Sequence, residues 1–281
     1  MENKQGLFQS AGALFESLAR QYPFAEYDRT GRSLLGRELS LLQIGNGDKT
    51  VLMVAGADAG DRLSEALLMQ FASDFCAQVE RGGRLFGLNA AFAARTRRIL
   101  ILPCLNPDGK ALTKEGADPS CPLYERQLRQ NGMKSDFSAW QGNARGVHLD
   151  RNYNDGFADR RSLCAKDGGP TLITGEYPES EPECTFAARL VHTLRPTLVL
   201  ECGKASSDTV FTNRPSTVAQ IAQSADCPIC QQLPCGLPSW AAATYDCAAI
   251  HLGLQPCKHE ISIAYLHFRE LLFRCLYTLA V

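Results

Sequence analysis

The stretch Thr50-Val-Leu-Met-Val-Ala-Gly-Ala-Asp-Ala-Gly-Asp61 passes from an unbroken apolar run to a glycine and then to two aspartates three residues apart. A short continuous apolar run reads as a strand buried on both faces. Past Asp61 the period changes. Leu63, Leu67, Phe71 and Phe75 recur every four residues, the spacing of one helical face over 62–80. A buried strand running straight into an amphipathic helix is half of a βαβ unit, and ligands of such sheets bind beyond the carboxyl ends of the strands. Asp58 and Asp61 therefore stand where a ligand would be met.

Working outward, RELSLLQIG (37–45) reads as a strand neighbouring 50–57, with Asn46-Gly-Asp48 as the turn between them. RRILILPCL (97–105) is another buried strand, closed by Asn106-Pro-Asp-Gly109 as a turn, with Asp108 expected to bond its own backbone. Residues 110–179 are polar, rich in glycine and poorly periodic, a long excursion of the kind that carries function. Ser180-Glu-Pro-Glu183 has the pattern of a capping box, Ser180 being the N-cap of a helix through Leu194. Strands are expected at 197–202 and 247–254, and a helix at 8–21. A last helix puts Ile261, Tyr265, Phe268, Leu272, Cys275, Leu276 and Leu279 on one face. The alternation specifies an α/β fold with a parallel or mixed sheet. Asp58, Asn106, Glu201 to Gly203 and His251 all fall at or near predicted strand ends.

The bulk numbers narrow the class. A chain of 281 residues fits one α/β domain, and a single domain spanning 1–281 is expected. A net charge of −1 gives no reason to expect nucleic acid or an anionic membrane as partner. The start, Met-Glu-Asn-Lys-Gln, lacks the basic and apolar regions of a signal peptide, so a cytoplasmic protein with reduced thiols is expected. The apolar runs are far too short to span a bilayer. Cys227-Pro-Ile-Cys230 with Cys235 lacks the second C-x-x-C pair that a structural zinc site would need, and reads as a loop of ordinary thiols. His148, His192, His259 and His267 read as packing or surface residues.

Four fragments, in order, resemble the zinc carboxypeptidase family (carboxypeptidase A-like metallopeptidases). GRSLLGRELSLLQIG (31–45) resembles its opening strand region, and LPCLNPDG (102–109) its Pro-Asn-Pro-Asp-Gly segment. NARGVHLDRNYN (143–154) resembles N-x-R-G-V-D-L-N-R-N, and GEYPESEPE (175–183) the G-x-x-P-x-S-E-P-E stretch before a helix. The resemblance implies a three-layer α/β/α sandwich around a central mixed, mostly eight-stranded sheet.

It also implies a chemistry, and here this sequence departs. The family binds zinc with an H-x-x-E pair and a later histidine, uses a glutamate as general base on the zinc-bound water, and grips a terminal carboxylate with an asparagine–arginine pair. At the H-x-x-E pair stand Asp58 and Asp61. For the third ligand, spacing to the next strand favours Gly203, while the strand end alone allows Glu201 or Cys202. The general-base segment reads Ala249-Ile-His-Leu-Gly253, so His251 replaces the glutamate. Asp150 replaces the asparagine, Arg151 is kept, and Arg145 lies near another substrate-binding arginine position.

These departures lead to the expectation of no cofactor. The alternative is a divalent metal, manganese or magnesium before zinc, on Asp58, Asp61, Glu201 and His251. The functional expectation is a catalytically inactive relative whose cleft still takes a peptide or other carboxylate ligand at Arg151, Arg145 and Asp150. The alternatives are an active metallocarboxypeptidase or amidohydrolase with a rebuilt site, and thiol chemistry with Cys202 as nucleophile and His251 as base. Two aspartates without a metal need a counter-charge, and His251, protonated, is the expected partner of Asp58 or Asp61.

Overall fold

Four strands of the sheet are buried along nearly their whole length, and this follows from their apolar runs. The structure, a computed structural model, describes residues 10–166, 174–222, 225–256 and 260–279. Its strands are β1 (Ala25–Arg32), β2 (Glu38–Ile44), β3 (Lys49–Ala55), β4 (Arg84–Leu85), β5 (Leu88–Asn89), β6 (Arg97–Leu102), β7 (Leu198–Lys204), β8 (Thr209–Thr212), β9 (Ile229–Cys230) and β10 (Ala248–Leu254). Its helices are α1 (Ala11–Gln21), α2 (Arg62–Arg81), α3 (Ala90–Thr96), α4 (Pro107–Glu115), α5 (Tyr124–Gln130), α6 (Phe157–Lys166), α7 (Pro182–Leu194), α8 (Pro215–Ile221), α9 (Leu237–Tyr245) and α10 (Ile261–Thr278). A 3-10 turn covers Leu149–Arg151.

Eight strands form one sheet in the order β1-β2-β6-β3-β7-β10-β8-β9, and β4 and β5 pair separately. The central strands β6, β3, β7 and β10 run parallel, while β1, β2 and β8 are antiparallel to their inner neighbours. Successive residues of a strand face opposite layers. On one face Val51, Met53 and Leu200 pack with Phe71 and Phe75 of α2 and with Phe268 and Leu272 of α10. On the other, Leu52, Val54 and Val199 pack with Phe186 and Val191 of α7 and Trp240 of α9. This is the expected three-layer sandwich on a mixed eight-stranded sheet. No helix among the described residues is long and apolar enough to cross a membrane.

Three local expectations need correction. The strands β2 and β3 are not neighbours, because β6 lies between them. The connection through Asn46-Gly-Asp48 crosses the start of β6 at van der Waals distance. A Cβ on Gly47 would stand 2.0 Å from the carbonyl carbon of Thr96, and one on Gly45 2.1 Å from the Ala94 oxygen. Two glycines thus let the backbones pass, a close approach that a turn motif imitates in sequence. Second, Asn106-Pro-Asp-Gly109 opens α4 instead of turning back. Asn106 is its N-cap, accepting from the Gly109 N–H at 2.9 Å, and Pro107 occupies the first turn, where its missing donor costs nothing. Asp108 reaches away from its own backbone and accepts the Leu35 N–H at 2.8 Å. Third, α7 is capped from Glu181 without a side-chain bond, and Ser180 bonds Glu181 Oε1 at 3.0 Å. Glu183 accepts the Leu34 N–H at 3.0 Å instead of closing a capping box. The excursion over 110–179 begins within α4, contains α5 and α6, and packs Leu112, Phe137 and Trp140 with Ala59 in a small core. His259 lies outside the described residues.

The last helix docks as its periodicity predicts, with Tyr265, Phe268 and Leu272 in the core. A charged clamp fixes its angle to α2. Arg269 donates to both oxygens of Asp74, Nε to Oδ2 at 2.6 Å and Nη2 to Oδ1 at 2.9 Å, and the Tyr265 hydroxyl donates to Oδ2 at 2.5 Å. Burial pushes the Asp74 carboxyl up, but the bonds from Arg269, Tyr265 and Gln78 outweigh it and hold its pKa below the usual value. Asp74→Ala should cost about 2 kcal/mol, the scale of charge-assisted bonds lost from a largely buried site. Chemical denaturation of the wild type and the variant measures this. The wild-type advantage should be present above the unfolded carboxyl pKa and fade as pH falls through the lowered folded one.

Candidate active-site cleft

From β3 the chain moves through α2 to β6 on one side, and it later enters β7 on the other side of β3. At such a switch the loops diverge and leave a crevice at the strand ends. The β3–α2 loop forms one wall and is tightly held. Asn106 receives the Gly56 carbonyl on its N–H at 2.9 Å and donates its side-chain amide to the Ala57 oxygen at 3.0 Å. The Ala59 N–H reaches the Gln141 oxygen at 3.1 Å.

Asp61 is the N-cap of α2. Its Oδ1 accepts the Ser64 N–H at 3.1 Å, and its Oδ2 is buried without a hydrogen-bond partner. Burial raises its pKa, against the cap bond and the charge of Lys204. Asp58 is more open. Its Oδ1 accepts from the Gly60 N–H and from the Lys204 ammonium, each at 2.8 Å. Lys204 closes β7, and a Cβ on Gly60 would stand 2.8 Å from its Nζ. The ammonium thus lies directly over Gly60.

This corrects the expected role of His251. Its register neighbour across β10 and β7 is Glu201, and its Nδ1 lies 3.3 Å from Glu201 Oε2. Asp58 takes Lys204 instead. The imidazole rests over Gly203, where a Cβ would come within 2.8 Å of the ring. Parallel strands in register send Glu201 and His251 to the same face, toward α9, while Cys202 points into the core shared with α2 and α10. Burial pushes the Cys202 thiol far above its usual pKa. A Cys202–His251 nucleophile and base pair is therefore not formed.

Asp150 sits on the 3-10 turn beside this pair. Burial, then the charge of Glu201, pushes its pKa up to about 6, against the pull of Arg151 and His251, with Asp58 adding a smaller repulsion. His148 is lowered by burial and by Arg151. Asp58, Asp150, Arg151, Glu201 and His251 thus share one cleft. The Arg151 side chain has no hydrogen-bond or ion-pair partner among the described residues. Arg145 is committed elsewhere. It pairs with buried Glu181 at 3.2 Å, in a network where Asn143 donates to Glu181 at 2.8 Å. Cys227 donates its thiol to the Ala225 oxygen at 3.1 Å, and neither it nor Cys230 nor Cys235 is in a disulfide.

Lys204 was missed in the sequence. The signal was present, since Glu201-Cys-Gly-Lys204 ends a buried strand with a cation across from two unpaired acids.

The model of the zinc carboxypeptidase family (peptidase M14) matches residues 12–212. A γ-D-glutamyl-L-diamino acid endopeptidase of Lysinibacillus sphaericus is 25% identical over 175 residues, 62% of this chain and 44% of that protein. Carboxypeptidase D of Drosophila melanogaster is 29% identical over 150 residues, 50% of this chain and 9% of that protein. The chain spans less than half the length of these curated relatives. Among solved structures, carboxypeptidase A from Helicoverpa armigera superposes with a TM-score of 0.68 at 15% identity, covering 95% of this chain and 71% of that one. Murein-tripeptide amidase from Escherichia coli O157 gives 0.54 at 21% identity, covering 90% and 92%. At these identities the structures establish the fold.

The family match also overturns the expectation of no cofactor, and that of manganese or magnesium before zinc, because the family is one of zinc carboxypeptidases. The side chains arranged here do not themselves form a zinc cage. Among the described residues no three histidines, cysteines, aspartates or glutamates are grouped to hold a metal ion. Asp61 is turned to its helix and Asp58 to Lys204, and Gly203, the residue that spacing favours for the third ligand, lies under an imidazole. With most of its length matched and its sheet shared, the chain belongs to the zinc carboxypeptidase family.

Proposed function

We propose that this family member does not hydrolyse peptides and that its cleft takes up a peptide, or a similar ligand, through a free carboxylate. The observation that carries the reading is the Arg151 guanidinium, left without a hydrogen-bond or ion-pair partner among the described residues, beside the strand ends. A guanidinium presents a planar fork that matches a carboxylate. The absence of hydrolysis is supported by His251, which the resemblance aligns with the general base and which lies 3.3 Å from Glu201. Arg145, tied to Glu181, has no free fork to add. The relatives act, by their names, on a γ-D-glutamyl-L-diamino acid bond and on a murein tripeptide, so peptides of that class belong beside ordinary L-peptides in the test.

Binding of fluorescent peptides with free and amidated C-termini should differ, the free carboxylate being favoured. Arg151→Ala should weaken the free form by roughly tenfold or more, the scale of a charge-assisted bond. Equal binding of the two forms would refute the carboxylate reading. Release of a C-terminal residue by zinc-supplemented protein would refute the non-hydrolytic one.

Asp150 adds a pH dependence. Its folded pKa of about 6 lies above the ordinary 3.8, so the fold holds a proton there that the unfolded chain releases earlier. Stability therefore falls as pH rises through that window and stays reduced above it. Asp150→Asn should raise the melting temperature near neutral pH and leave it unchanged well below the unfolded pKa. It should also strengthen carboxylate binding near neutrality, because the ionised Asp150 repels the same ligand. Scanning calorimetry and the peptide assay at both pH values check these outcomes.

A further inference from the structure

The turn between β1 and β2 closes on itself and is then tied to the body of the protein by two buried acids. Within the turn, the Ser33 N–H reaches the Arg37 oxygen at 2.8 Å, the Gly36 N–H reaches the Ser33 oxygen at 2.9 Å, and Ser33 Oγ accepts the Arg37 N–H at 3.0 Å. Its tip has little apolar anchorage, since Leu35 is 43% exposed and Leu34 is only partly buried. Two successive amides point inward instead. Leu34 donates to Glu183 Oε1 of α7 at 3.0 Å, and Leu35 donates to Asp108 Oδ2 of α4 at 2.8 Å. Because β2 runs antiparallel to β6, the turn lies at the end of the sheet where the cleft opens. Both acids are buried. Asp108 Oδ1 has no hydrogen bond and faces Arg37 Nε at 3.4 Å. Glu183 has no ion-pair partner among the described residues. Its Oε2 meets Asn143 Nδ2 at 3.4 Å, an amide that it shares with Glu181, which pairs with Arg145. Cys184, next to it on α7, is kept a neutral thiol by burial.

We propose that the β1–β2 turn is a proton-operated flap, docked on α4 and α7 while Glu183 is neutral and released when Glu183 and Asp108 are both ionised. This is independent of whether the cleft binds peptides. A neutral carboxyl still accepts an N–H on its carbonyl oxygen, so the Leu34 bond survives protonation. Ionisation instead sets a second negative charge against Asp108 in a desolvated place, and lifting the turn lets water reach both acids. Burial, with the charge of Asp108, pushes the Glu183 pKa up to about 7 from 4.5, against the bonds from Leu34, its own N–H and Asn143. The docked turn therefore holds a proton that the lifted turn gives up at lower pH. Docking is strongest below the ordinary carboxyl value and weakens as pH rises through the folded one. Asn143 also accepts the Arg145 and Val147 N–H groups at 2.9 and 3.1 Å, so the same cluster joins the flap to the segment that leads into Asp150 and Arg151.

The experiment is amide hydrogen exchange of the full-length protein, read by NMR at Leu34 and Leu35 and expressed as protection factors, which divide out the intrinsic pH dependence of exchange. The amides of Met53 in β3 and Leu200 in β7 report global unfolding in the same samples. Protection at Leu34 and Leu35 should stay below that of the two core amides and fall roughly tenfold or more between about pH 5.5 and about pH 8. Glu183→Gln is neutral throughout and should show no such fall. Asp108→Asn removes the facing charge and should move the fall to lower pH, which keeps the proposal testable if Glu183→Gln does not fold. Protection at the turn that does not change with pH in the wild type would overturn the proposal. So would a fall that persists in Glu183→Gln, or one whose midpoint Asp108→Asn leaves in place. Equal protection of the turn and core amides at every pH would overturn it too, because the turn would then open only with the whole protein.

Discussion

Charge at the end of a buried strand has to be compensated, and the cleft of this protein is organised around that requirement. Asp58 and Asp61 project at the switch point between β3 and β7. An ionised carboxylate held in such a place without a partner costs several kcal/mol, so it is paired, capped or protonated. Each aspartate here finds a different answer. Asp61 turns to the amide of Ser64 and caps α2, while Asp58 takes the ammonium of Lys204. The same logic extends along the cleft. Glu201 takes His251, Glu181 takes Arg145, and Asp150, crowded by Glu201, is held closer to its neutral form. Arg151 acts on Asp150 by its charge and, among the described residues, has no hydrogen-bond or ion-pair partner for its side chain.

The sheet makes these pairings possible by register. In parallel strands, residues opposite one another face the same layer, so Glu201 and His251 meet as a consequence of the β7–β10 pairing alone. The same register sends Cys202 away, into the core. Glycine then decides what fits. Gly203 admits the imidazole and Gly60 admits the ammonium. Both are places where the absence of a side chain lets another group approach.

Much of this was legible in the sequence. The period-four run of α2, the apolar runs of β3, β6 and β7, and the one-sided face of α10 gave the layers, because burial imposes those patterns directly. The resemblance added the order of the fragments and pointed to Asp58, Asp61, Gly203, Asp150, Arg151 and His251. What the sequence hid were relations fixed only in three dimensions. β6 inserts between β2 and β3 because Gly45 and Gly47 let a loop cross its start, and glycine spacing in a turn looks the same either way. Asp108 and Glu183 look like turn and cap residues, but the segment at Leu34–Leu35 passes close enough to offer them its N–H groups. His251 was expected to meet the aspartates because it was the nearest candidate cation that the resemblance offered. Lys204 meets them because it is on the strand beside them.

The central claim is that Lys204 and Asp58 hold each other at the β3–β7 switch point. A crystal structure of chelator-treated protein, with anomalous diffraction at the zinc edge to establish what the site contains, tests it most directly. The account predicts the Lys204 ammonium in hydrogen-bond contact with Asp58 and the imidazole of His251 against Glu201. A Lys204 side chain extended into solvent, with Asp58 and Asp61 converging on one point without it, would contradict it.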